Sequence, residues 1–148
     1  MSLLEPPPET HNKSRAMTYT AVALVAALAV VLWFMFRYYP EKRVAGQFFD
    51  ALVAGETDRA YGLWKPTPSY RKEDFLADWG PTGYYGPVKS YKILRAKAPQ
   101  KSNVVAVTVA VSQFAPMPTE ADEKSAKTKT VTLWISPEDK SISFAAFE

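Results

Sequence analysis

Residues 16–36, AMTYTAVALVAALAVVLWFMF, run for 21 positions without a charged side chain. As a helix such a run reaches about 31 Å, close to the hydrocarbon thickness of a bilayer. Val22, Leu24, Val25, Leu28, Val30, Val31, Leu32, Phe34 and Phe36 together favour insertion by roughly 3 to 5 kcal/mol. Thr18 and Thr20 fall in the first turns, where a hydroxyl can bond back to the helix backbone. Trp33, Tyr38 and Tyr39 are amphipathic rings suited to the headgroup level, and Arg37 can snorkel beside them. Pro40 then stops or bends the helix. Residues 16–39 therefore read as a transmembrane helix with its interfacial edge.

A cleaved signal peptide would have a shorter apolar core followed by an A-x-A pattern, and Phe36-Arg37-Tyr38-Tyr39-Pro40 offers no such site. A core helix would keep a polar face, and this segment has none. The span reads as a retained signal-anchor. Ala23 and Ala27 make a small-xxx-small pair, which in an alanine-rich span reads as lipid-facing filler. No charged or strongly polar residue lies at mid-depth, which argues against a channel, pump or proton relay.

About 105 residues follow the span, enough for one small domain and too few for two. Residues 44–148 hold 13 Lys/Arg against 12 Asp/Glu, so the sequence pI of 9.0 owes much to Arg37, Lys42 and Arg43 beside the span. Those three would meet anionic headgroups if they face the cytoplasm. The remaining charges are scattered, which gives nucleic-acid binding little support. There is no cysteine, which removes disulfides, thiol catalysis and cysteine-ligated metals. The one histidine, His11, lies outside the folded part, so neither a Ser-His-Asp triad nor a His-based metal site is available there. No cofactor is expected.

Residues 1–15 are Pro-rich and polar and read as a disordered tail; the sequon Asn12-Lys13-Ser14 in it reads as a chance match. From Glu41 a helix pattern begins, with Val44, Phe48, Phe49, Leu52 and Val53 on one stripe and Gly55 at its end. Thr57 or Asp58 caps a second short helix carrying Ala60, Tyr61 and Trp64. A third, around Arg71 to Trp79, turns Phe75, Leu76 and Trp79 inward. The glycines and prolines of residues 80–87 bracket Tyr84-Tyr85 in a turn-rich loop.

Strands follow. Tyr91 and Ile93 mark the first; Val105, Val107, Val109 and Val111 alternate in the second, the expected central strand. A polar loop over residues 115–126 leads to Val131, Leu133 and Ile135 in the third, and Ile142, Phe144 and Ala146 finish a fourth. Helices first and short-connected strands afterwards predict an α+β domain over residues 41–148, an antiparallel meander curled over the long helix.

The phrase VAGQFFDALVAGETDRAYGLW, a long helix, a Gly-x-x-Asp joint and an Ala-Tyr helix ahead of an antiparallel sheet, resembles the NTF2-like (cystatin-like α+β) superfamily. It is similar in particular to small membrane-anchored bacterial members of unknown function. A second likeness is to cytochrome-oxidase assembly proteins that pair one span with a small α+β domain. The first resemblance implies a cone of helices on a curved four-stranded antiparallel sheet, with a pocket between the concave face and the helices. It also implies an extracytoplasmic domain on the cell (inner) membrane, against a slight excess of Lys and Arg after the span over Lys13 and Arg15 before it.

In that geometry Tyr61, Trp64, Trp79, Tyr84 and Tyr85 lie near the pocket mouth, where they could bind an apolar ligand or a partner protein. As large aromatics they could equally serve as core and loop anchors. Enzymes of the superfamily place acids or a histidine inside the cone, whereas the inner strand positions here are Val, Leu, Ile and Phe. Asp74 and Asp78, beside Arg71 and Lys72, read as a solvated surface. Glu120, Asp122 and Glu123 lack the ligand spacing of a calcium loop.

The chain is therefore expected to be a non-enzymatic interaction or assembly module tethered to the lipid bilayer beside another membrane protein. The alternative is a small-molecule binder, or an enzyme, using the cone pocket.

Overall fold

The computed structural model describes residues 10–100 and 102–144, and the chain divides into two units, residues 1–37 and 38–148. The tail read from residues 1–9 and the Ala146 position predicted for the last strand lie outside the described residues.

In the first unit, helix α1 (Thr10–Phe36) is long and apolar enough to cross a bilayer, the one such helix among the described residues. It begins six residues before the apolar run, so residues 10–15 of the expected tail are helical. Propagating an existing helix adds a hydrogen bond per residue at little cost, which is why the polar lead-in joins it. Thr18 and Thr20 donate their hydroxyls to the carbonyls of Ser14 and Ala16, each at 2.9 Å. The Arg37 guanidinium lies 4.9 Å from the Trp33 ring centroid.

In the second unit, α2 (Tyr39–Val53) starts two residues earlier than expected. Pro40 is in its first turn, where a missing N–H leaves nothing unsatisfied, so the proline begins this helix. At the other end Gly55, at φ +76°, lets its N–H reach Leu52 and the Glu56 N–H reach Ala51. This doubly bonded C-terminus needs a left-handed residue, for which glycine carries no Cβ penalty. α3 (Thr57–Trp64) and α4 (Lys72–Trp79) follow, the latter with Glu73 and Asp74 in its first turn. The Arg71 backbone N–H donates to Asp74 Oδ2 at 3.0 Å, filling one of the donors a helix start leaves open.

Strands β1 (Ser90–Lys97), β2 (Val105–Ser112), β3 (Lys129–Ile135) and β4 (Ile142–Ser143) form one open antiparallel sheet in the order β1-β2-β3-β4. Val107 and Val109 of β2 oppose Leu133 and Val131 of β3, which puts the alternating apolar residues on one face. α2 packs on that face with Ala45, Phe48, Phe49, Ala51 and Leu52 buried. Val53, expected on the stripe, is 39% exposed. Glu41 is only 6% exposed and accepts from Lys140 Nζ at 3.0 Å, joining the start of α2 to the β3–β4 turn. A carboxylate out of water needs such a partner.

Candidate functional site

Backbone carbonyls at the end of α4 and glycines shape the loop that follows it. The N–H groups of Gly80, Tyr84 and Tyr85 donate to the carbonyls of Leu76, Ala77 and Asp78, so the loop folds back over the helix end and satisfies it. A Cβ built on Gly86 would sit 2.0 Å from the Gly80 oxygen, so the chain closes here only with glycine. Tyr84 and Tyr85 are thus presented from a fixed backbone. Lys129 Nζ donates to the Tyr84 carbonyl and lies 3.8 Å from its ring centroid, a cation–π contact that clamps the loop to β3.

The five aromatic residues singled out from the sequence separate into two groups. Trp64 and Trp79 are buried core, each within 5.3 Å of the Phe48 ring centroid. Tyr61, half-buried, meets Phe75 edge-on at 5.3 Å. Tyr85, half-buried, stacks on Trp79 at 4.6 Å, and Tyr84 is 63% exposed. Trp79 Nε1 is buried and has no acceptor among the described residues.

Three residues not foreseen complete the cluster. Phe144 stacks on Trp79 at 5.8 Å and meets Trp64 in a tilted contact at 4.9 Å. Tyr70 packs on Trp64 and donates to Asp78 Oδ2 at 2.6 Å. Asp78 is therefore half-buried and bonded, not part of a solvated surface, whereas Asp74 is exposed as expected. Burial, and then the Asp78 carboxylate, push the Tyr70 phenol far above its ordinary range; burial also raises Tyr85. Across the domain, Tyr91 donates to Asp50 Oδ1 at 2.6 Å, and burial followed by that bond raises its pKa to about 12. Each phenol stays a neutral donor over the physiological range.

Two grooves flank Phe144. One, of about 570 Å³, runs between the α3–α4 connection and β4, walled by Trp64, Tyr70 and Phe144 with Ser69 and Ser141 at its rim. The other, of about 430 Å³, is lined by Asp78, Tyr84, Tyr85, Thr130 and Thr132. By contrast, Phe48, Phe49, Val107, Val109, Leu133 and Ile135 between α2 and the sheet have no accessible surface, which leaves no water-sized void beside them. Both grooves open beside the aromatic cluster, at its rim.

Chemically the rim offers ring faces for stacking and hydroxyls for hydrogen bonding. Asp139 beside it is taken up by Ser141, whose N–H and hydroxyl it accepts at 3.0 and 2.8 Å and which holds its carboxyl below the usual range. Asp122 likewise caps a short 3-10 turn, Glu123–Lys127, by accepting from Lys124 N–H. Among the described residues no group of His, Cys, Asp and Glu has the geometry to hold a metal ion. Compared with protein-family models, with curated proteins and with solved structures, the chain matches none.

Proposed function

We propose that this chain is a single-pass membrane-anchored protein whose domain acts as a non-enzymatic interaction or assembly module at the membrane surface. The NTF2-like resemblance frames the reading, supported by helices that precede an antiparallel meander and a long helix packed across it. In this reading α1 is the anchor in the cell membrane, and the domain lies on its extracytoplasmic side.

The observation that carries the proposal is the exposed Tyr84, held on a backbone bonded to α4 and clamped by Lys129. A large ring fixed in water has already lost much of the freedom that binding would remove, so a partner that covers it gains apolar burial at small entropic cost. Anchoring in the same bilayer raises the effective concentration of domain and partner further. The 570 Å³ groove favours a second reading, in which a small apolar or aromatic ligand stacks on Trp64, Tyr70 and Phe144.

Purification of the full chain in gentle detergent is expected to recover a defined membrane protein with it, and Tyr84→Ala with Tyr85→Ala to lose that partner at least tenfold while the chain stays folded. Recovery of the chain alone from every gentle detergent tried would overturn the interaction reading.

A further inference from the structure

The sheet face turned away from α2 carries a row of cations that follows from a bulge. Strict alternation along β1 would put Lys92, Leu94 and Ala96 on the outer face and send Arg95 inward with Ile93. The pairing instead slips between Ile93 and Arg95, so Lys92 opposes Ala110, Arg95 opposes Thr108 and Lys97 opposes Ala106. A bulge of this kind re-aims the residues that follow it. All three cations therefore share the outer face, and Leu94 stands beside them, 50% exposed.

The rest of that face is made of short side chains apart from Trp134. Ala110, Thr108 and Ala106 form the next row, followed by Thr130, Thr132 and Trp134 of β3. No residue of the four strands is acidic, and Lys92, Arg95 and Lys97 have no ion-pair partner among the described residues. The acidic residues of the sheet connections, Glu120 to Glu123 between β2 and β3 and Glu138-Asp139 in the β3–β4 turn, make no ion pair with them either. Lys97 and Trp134 lie in one row, at the end of the sheet that the Lys140–Glu41 pair ties to the start of α2, where the chain enters the domain.

We infer that this outer face is a docking surface for anionic phospholipid headgroups, with Lys92, Arg95 and Lys97 on the phosphates and Trp134 at the headgroup level. The inference rests on the membrane-anchored reading and adds a lipid-contacting face to it. Charge decides the occupant: three unpaired cations on a sheet without an acidic residue, with an indole in the same row as Lys97, complement an anionic headgroup layer. Cations near an anionic surface and an indole at its edge are each favourable there, and the tether keeps the face within reach of it.

Because the chain has no cysteine, a single Ala106→Cys reporter reads this face in the full chain. Vesicles of phosphatidylcholine alone, or mixed with phosphatidylglycerol, are loaded with the protein, and an uncharged, polymer-linked maleimide labels the outward-facing population. Labelling is expected to be about tenfold slower in the anionic vesicles, at the scale of a few surface cations, and to recover in high salt. Lys92→Glu, Arg95→Glu and Lys97→Glu together should remove the difference, while a Thr119→Cys reporter in the exposed connection shows none. Equal rates at Ala106→Cys in both lipids, with protein and vesicles floating together, overturn the lipid face alone. Protection that ignores lipid charge and salt also overturns it, because headgroup charge then does not hold the face. Failure to float with either vesicle overturns the anchored reading as well.

Discussion

Replacing Phe48 with alanine is expected to destabilise the domain by about 4 kcal/mol, the upper part of what core truncations cost. Phe48 has no accessible surface, and its ring centroid lies 5.1 Å from Phe49, 5.3 Å from Trp64 and 5.2 Å from Trp79. The loss therefore has two parts, the apolar transfer and a void that three large rings cannot close without giving up their own contacts. In a domain of this size the melting temperature should fall by about 20 °C. Near-ultraviolet circular dichroism of the full chain in detergent is the right readout, since it follows Trp64, Trp79 and their neighbours. Far-ultraviolet signal would retain the large contribution of α1, which detergent keeps helical. Val53→Ala, on the same helix but largely outside the core, should change stability by less than about 0.5 kcal/mol. Equal effects at the two positions would mean that α2 does not pack as described.

The second large effect concerns α1. Leu28 lies near the middle of the charge-free run, where exchanging leucine for lysine moves the insertion balance by about 3 kcal/mol. That is comparable to the roughly 3 to 5 kcal/mol with which the nine large apolar residues favour insertion. Leu28→Lys should therefore lower the inserted fraction severalfold in a translocon-dependent insertion assay. Met17→Lys, in the first turn beyond Arg15, should leave it nearly unchanged because its ammonium can reach the headgroups. Similar insertion for the native chain and Leu28→Lys would mean that the bilayer core is not where residue 28 resides.

What the sequence made legible is what repeats along the chain. Val105, Val107, Val109 and Val111 alternate, and all four are buried on one face of β2. Phe48, Phe49 and Leu52 recur at helical spacing and are the packed side of α2. Ala45 and Ala51 carry no such signal: they are buried in the core cluster because neighbouring elements close over them, a matter of tertiary distance that a hydrophobicity stripe does not encode. Nor does it encode Glu41, whose burial depends on Lys140, 99 positions away.

The candidate site was legible in composition and not in arrangement. Tyr61, Trp64, Trp79, Tyr84 and Tyr85 could be named, but whether each ring is core or surface depends on which others reach it. Trp64 and Trp79 are enclosed because Phe48 comes from α2 and Phe144 from beyond the last strand. Tyr70 and Asp78 were separable from a generic surface only once α4 placed them 2.6 Å apart, since a separation of eight residues crossing a helix start carries no periodic signal. The cation row on β1 was hidden for a related reason. A bulge resets the two-residue period, and nothing in SYKILRAK marks where the slip falls.

The account turns on α1 lying across a bilayer with its domain tethered at the surface. Alkaline carbonate extraction of membranes containing the full native chain tests that most directly, because it strips proteins held by charge or by partners and leaves those held by hydrocarbon. The account predicts that the chain stays with the membrane pellet. Its release into the supernatant would contradict the anchor, and with it the proposals that depend on the tether.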